Sequence, residues 1–235
     1  MSSSGSASSA VEQSGARRGT PTTLEHLVDV ALDICMTRGV EAVSMRAVAN
    51  RLNISPMTIY RFVASKEALL DETVLRVLDR FETPRHVRDG WDQRILGSLG
   101  AWRALLLDHP GIVQILVGRR MPADSKGLAR LEEDVLTSLD LAGVTGAPAA
   151  RAFWQILAHA FGHIVFELPR AALTLPEQRL ACERMARVAS ERGFLHVHAL
   201  AAELNSLEVR GTFEDSMHVF LQGVAACHGR DTSGK

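Results

Sequence analysis

No stretch of this sequence approaches the roughly 18 consecutive apolar residues that a membrane-spanning helix requires. The N-terminus is rich in Ser, Gly and Ala but carries no apolar segment, so it does not read as a secretory leader. The expectation is a cytoplasmic protein with no membrane partner. Cysteine is sparse: Cys35, Cys182 and Cys227 are widely spaced, form no CxxC pair and fall in apolar-periodic segments, which excludes a disulfide framework and fits reduced, buried thiols. There is no excess of either charge. The formal net charge is -1, so any nucleic-acid surface must be local. Segments of alternating polarity are missing, as are internal repeats, a phosphate-binding glycine loop and a nucleophile–base pairing. β-structure and most enzyme classes lose their support. No catalytic residue and no cofactor is assigned.

What is present is a 235-residue chain in which 46% of residues are hydrophobic and the body is dominated by Leu, Ala, Val and Arg, a composition that suits helices. The expected fold is all-α. Residues 1–20 read as a disordered arm ending near Arg17 and Arg18, a pair that suits either a solvated tail or a DNA minor groove. From Thr22 a helical period runs through Leu24, Leu27, Val28, Ala31, Leu32, Ile34 and Cys35 until Gly39 stops it. Ser44 caps a second helix, Asn53 and Ile54 turn the chain, and Ser55 with Pro56 opens a third. Ser65 caps a fourth, expected from Lys66 to about Glu82 ahead of Pro84. Further helices are expected over 91–108, 112–117, around 130–141, 148–168, from Pro176 towards Gly193, and over 213–227.

Three helices of about 17, 8 and 7 residues joined by tight turns make a helix-turn-helix. Between Ser44 and Lys66 the ionised residues are Arg46, Arg51, Arg61 and Lys66, with no acid, whereas Asp29, Asp33, Glu41, Glu67, Asp71 and Glu72 flank them. This is a local phosphate-binding footprint in a near-neutral chain. The third helix should turn Met57, Thr58, Tyr60 and Arg61 outward and Ile59, Phe62 and Val63 inward. Arg61 suits a guanine edge, Met57 a thymine methyl, and the Tyr60 hydroxyl a phosphate oxygen. Lys66 opposes the dipole of the helix it opens, a position that makes sense beside a phosphate.

The stretch Val43–Leu70 resembles the TetR-family signature. A small hydroxyl residue (Ser44) opens the second helix, a tyrosine (Tyr60) closes the third, and Lys66 with Leu69 and Leu70 begins the fourth. The resemblance covers residues 22–82 and implies that Ser44, Arg46, Thr58, Tyr60 and Lys66 contact DNA. With Met45, Ser55, Met57 and Arg61 they form the candidate DNA-binding set. The turn glycine usual in the family is Asn53 here, a residue that tolerates positive φ. Three divisions are expected: the arm, a DNA-binding domain over 21–66, and a ligand-binding and dimerisation domain over 67–230.

The C-terminal part resembles the tetracycline repressor subfamily through Leu105–Gly111, Val117–Pro122, Leu131–Glu133, Phe161-Gly162 and Phe213–Gly223. The resemblance implies a homodimer paired through two long helices, with Phe213, Met217, Phe220, Leu221 and Val224 as the pairing face. It also implies a small-molecule effector. Candidate pocket residues are Trp102, Leu116, Met121, Leu131, Phe153, Trp154, Leu157 and Phe161 as walls, and Glu82 and Arg120, beside His109 and Arg119, as polar anchors. Glu82 and Leu116 stand where the tetracycline repressor binds its drug–metal complex partly through histidine. An apolar or aromatic effector without metal is therefore expected. His159, His163 and Glu167 share a helix face at metal-ligand spacing, but the HExxH glutamate is absent and no zinc is assigned.

The resulting function is a repressor that binds a palindromic double-stranded operator as a homodimer and is released by its effector. A constitutive DNA-binding protein without a switch, or an all-α metalloprotein, are the alternatives.

Overall fold

The computed structural model describes residues 22–85, 90–119, 121–171, 174–205 and 213–228. The arm with Arg17 and Arg18, and the anchor Arg120, lie outside them. Every regular element among the described residues is helical.

The first four helices follow their caps. In α1 (Leu24–Arg38) the Thr23 hydroxyl accepts from His26 N–H, and Gly39, at φ 82°, ends the helix. After a 3-10 turn over Val40–Ala42, Ser44 accepts from Ala47 N–H to start α2 (Met45–Leu52). Asn53 terminates α2 in the left-handed region, at φ 53° and ψ 44°, as the missing turn glycine required. Ser55 caps α3, with Pro56 at its first position where no amide is missed. The α3 helix proper is only Pro56–Ile59, shorter than the periodicity predicts, and residues 60–62 continue it as a turn. Ser65 caps α4 (Lys66–Leu78).

This last helix ends four residues before the expected Glu82. Its axis breaks because Phe81 folds inward, 2% exposed, to meet the Trp102 ring edge-on at 5.5 Å. Burial of a large ring outweighs one more helical turn.

The rest of the core is built from α5 (Trp91–Leu107), α6 (Pro110–Val117), α7 (Lys126–Leu141), α8 (Gly146–Ala171) and α12 (Phe213–His228). Helix α5 packs on α7, α8 and α12, and α6 packs against α4 and α5. Between α8 and α12 the chain makes a helical excursion: α9 (Leu175–Arg192), α10 (Leu195–Ala199) and α11 (Ala201–Asn205), the two short helices folding back on α9. The Cys182 thiol donates to Ala201 O there. Among the described residues no helix is long and apolar enough to cross a membrane.

The two regions meet at a tight joint. The Cα of Gly127, at the start of α7, lies so close to the end of α4 that a methyl group there would sit 1.8 Å from Leu78 O. Asp79 accepts from Ser125 Oγ (2.9 Å) and Gly127 N–H (3.1 Å). Partial burial pushes its carboxyl up, but hydrogen bonds from Gly127, Ser125 and Lys126 outweigh this and hold it below its ordinary value. In return, the Arg130 guanidinium donates to the carbonyls of Asp79 (3.2 Å) and Phe81 (2.9 Å), in the segment that follows the end of α4. Further along α4, Arg119 donates to Asp71 at 2.8 Å.

Candidate nucleic-acid interface and effector core

Helices α2 and α3 present a compact polar surface. Met57 is 72% exposed and Tyr60 50% exposed; Arg46 and Arg61 are exposed, while Thr58 and Lys66 are half-buried. Arg46 and Arg61 make no ion pair among the described residues, so both charges are free for phosphate or base edges. Ser44 and Ser55 are exposed and cap their helices, leaving each hydroxyl a donor for a phosphate oxygen. Glu67, beside Lys66, is held below its ordinary value by hydrogen bonds from its own N–H and from Ser65.

Three expectations about this surface need correction. Met45, expected at the surface, is buried beneath α2 with Val48 and Ala49, so its side chain is turned away from solvent. Arg51 is bound to Asp33 of α1 and is not a free charge of the basic island. Phe62, expected inward, is 38% exposed because α3 ends at Ile59 and the turn rotates its ring outward.

In the C-terminal part, Trp102, Leu131, Phe153 and Leu157 are buried and Phe161 half-buried, contributed by α5, α7 and α8 to one apolar core. Leu116, buried in the same core, and Met121, packed against it, also border a groove of about 680 Å³ between α4 and α6, with Asp71, Glu72 and Arg119. Glu82 is not part of that core. Its side chain is 80% exposed, 3.7 Å from Arg130, because the chain has already left α4. Trp154 is 55% exposed, on the outer face of α8, and so is not a wall of the core either.

The helix α12 stripe is also corrected. Phe213, Met217, Leu221 and Val224 are buried within the chain itself against α8 and α5, and Phe220 is half-buried, stacked on His159 at 4.4 Å. Trp154 and Phe166 (67% exposed) stand exposed on α8 and Val219 (70% exposed) on α12, where it borders a groove with Leu96 and Gly100 of α5. Phe166 and Val219 escaped the sequence reading, although Trp154, Ala158, Gly162 and Phe166 recur at four-residue spacing and spell an apolar helix face.

Packing gives His159, His163 and Glu167 other neighbours. His159 Nε2 lies 3.0 Å from Ser216 Oγ, His163 packs edge-on against Phe213, and Glu167 is engaged by Arg103. Among the described residues no group of three metal-ligating side chains converges. Burial and the neighbouring His163 hold the His159 imidazole below its ordinary pKa.

Comparison with known proteins agrees with this architecture. The family described as bacterial regulatory proteins, tetR family, matches residues 27–73, and the tetracyclin repressor-like C-terminal domain matches residues 83–228. The HTH-type transcriptional repressor DrrR1 of Streptomyces coeruleorubidus is 32% identical over 143 residues, 60% of this chain and 52% of that protein. The chain thus spans about half the length of this curated relative. Among solved structures, ActR of Streptomyces coelicolor in complex with actinorhodin superposes with a TM-score of 0.76 at 22% identity, covering 89% of this chain and all of that one. BioQ with its double-stranded DNA operator superposes at 0.57 and 23% identity, covering 64% of this chain and 90% of that one. At these identities the structures speak for the fold, and the two family matches carry the assignment. This all-helical chain belongs to the TetR family of bacterial regulatory proteins.

Proposed function

We propose that the chain is a ligand-responsive transcriptional repressor. It binds a palindromic operator as a homodimer and is released by a small, largely apolar or aromatic molecule. The observation that carries the reading is the pairing of a free basic surface with a continuous mechanical path. Arg46, Tyr60 and Arg61 stand exposed on α2 and the α3 turn, and α4, which opens beside them, is clasped at its far end by Asp79, Arg130 and Gly127 of the α4–α7 joint.

One short recognition element reads few base pairs, so a dimer with two of them about 34–36 Å apart is needed for a useful specificity ratio. Effector binding favours one arrangement of α5–α8 over another. Because α4 is fixed to α7 at one end and carries Lys66 at the other, that difference changes the separation of the recognition elements and lowers operator affinity. The relatives are in keeping with both halves of this reading: one neighbour was solved with a DNA operator and another with actinorhodin.

The test is binding of the purified protein to DNA from its own upstream region, alongside Arg61→Ala. Salt-dependent wild-type binding that the variant loses supports the reading. The expected cost of the substitution is about 1–3 kcal/mol. If upstream DNA and selected random oligonucleotides both fail to bind in preference to bulk DNA, the repressor reading falls.

A further inference from the structure

The indole N–H of Trp102 is buried without a hydrogen-bond partner among the described residues, in a side chain that is 0% exposed. A donor withdrawn from water and left unpaired is costly, and native interiors rarely keep one. Phenylalanine or leucine would fill an apolar site without that penalty. Trp102 sits mid-way along α5, in the core to which α7 and α8 bring Leu131, Phe153 and Leu157. Its ring meets Phe81 edge-on, and the carbonyl of Phe81 is held by Arg130 of α7. The unpaired donor therefore lies at the point where the core touches the end of α4.

We propose that Trp102 is the specificity-determining donor for the effector, its indole N–H donating to a carbonyl, quinone or phenolate oxygen of an aromatic molecule that enters this core. The proposal rests on the ligand-responsive reading above and narrows its effector class, from apolar or aromatic molecules in general to aromatic hydrogen-bond acceptors. It also assigns a route. An acceptor that holds the Trp102 ring fixes the face against which Phe81 packs, and Phe81 is the first buried residue beyond α4.

The experiment compares anthraquinone-2-sulfonate with anthracene-2-sulfonate, which share a tricyclic frame and differ by two carbonyl oxygens. Affinities are measured by calorimetry on the full chain, on Trp102→Phe, and on a protein carrying β-(3-benzothienyl)alanine at position 102. The last replaces the N–H by sulfur at nearly constant shape. The wild type is expected to prefer the quinone by about tenfold, the ratio that one net hydrogen bond supplies, and both variants to bring that ratio close to one. Without any probe, the benzothienyl protein is expected to melt no lower than the wild type. The proposal is overturned if the wild type shows no preference or binds neither probe, if the variants keep the preference, or if the benzothienyl protein melts lower.

Operator binding measured with the same probes separates the two readings. A quinone bound with the Trp102 signature but leaving operator affinity unchanged upholds the donor and refutes the switch. An effector that releases DNA equally from wild type and both variants upholds the switch and refutes the donor.

Discussion

Gly127 shows how much one missing side chain can decide. Alanine there would place its methyl 1.8 Å from Leu78 O and 3.1 Å from Asp79 Cα, against backbone that has no rotamer to move. Gly127→Ala is expected to force α7 away from α4, costing roughly 1–3 kcal/mol as overpacking does, and to weaken the Asp79 and Arg130 clasp with it. Gly100→Ala is the control, since a methyl there meets nothing within 4 Å. In mid-helix it should stabilise by about 1 kcal/mol. Thermal melting of the two variants checks both signs, and equal melting temperatures would refute the close approach. On the reading surface, Arg46 is exposed and unpaired, whereas Arg51 is held by Asp33. Arg46→Ala is expected to weaken operator binding across all sequences and to lower the salt slope by about 1. Arg51→Ala should leave that slope nearly unchanged. Titrating affinity against salt for both variants distinguishes a free charge from a spent one.

The caps at Ser44, Ser55 and Ser65 are legible in the sequence, because each is a local bargain between a hydroxyl and the first open N–H groups of its helix; the Thr23 cap of α1 was not singled out. So is the turn at Asn53. The end of α4 was not legible. Its termination depends on Phe81 meeting Trp102, twenty-one positions away in the chain, and no local signal reports that. The α8–α12 seam was misread for a related reason. The apolar stripe of α12, through Phe213, Met217 and Leu221, is spent inside the chain, and the exposed side of the helix carries Val219 among Asp215, Gln222 and Gly223. Histidine at this seam is expected to give it a pH dependence. His159 stacks on Phe220, faces Ser216 and His163, and has its pKa lowered, first by burial and then by His163; its hydrogen bond to Ser216 opposes the shift. The sign follows directly: the fold holds the neutral imidazole, while the unfolded chain takes a proton near pH 6.5. Stability contributed by neutral His159 is present above that value and is lost as pH falls through it toward the folded-state pKa. His159→Gln should flatten this part of the curve. Denaturant midpoints between pH 8 and 5 measure it; a wild-type midpoint that rises on acidification across this window would contradict the assignment, once the variant's curve has been subtracted.

At the scale of the whole molecule the unsolved demand is the outer face of α8 and α12. Trp154 and Phe166 of α8 and Val219 of α12 are 55%, 67% and 70% exposed, and large exposed apolar residues on packed helices are the expected place for a second copy to dock. A two-fold partner placed there would bury its own copy of the same face, so the contact is self-complementary. The pair Phe166→Glu and Val219→Glu then puts four carboxylates into one contact, two from each copy, where neither desolvation nor repulsion can be relieved. The double variant is expected to be monomeric by light scattering where the wild type is dimeric, with its helicity and melting temperature close to those of an isolated protomer. Its affinity for a full palindrome should fall by about 10²–10⁴, the avidity of a linked second site, while binding to a half-site is unchanged. Met217→Ala supplies the contrast: Met217 is 0% exposed inside the protomer, so its truncation should cost about 2–5 kcal/mol of stability without selectively breaking the dimer. If the carboxylate pair leaves the oligomer intact, the pairing face lies elsewhere, and the apolar residues of α9–α11, Leu175 and Leu195 at 72% and 78% exposed, become the surface to substitute next.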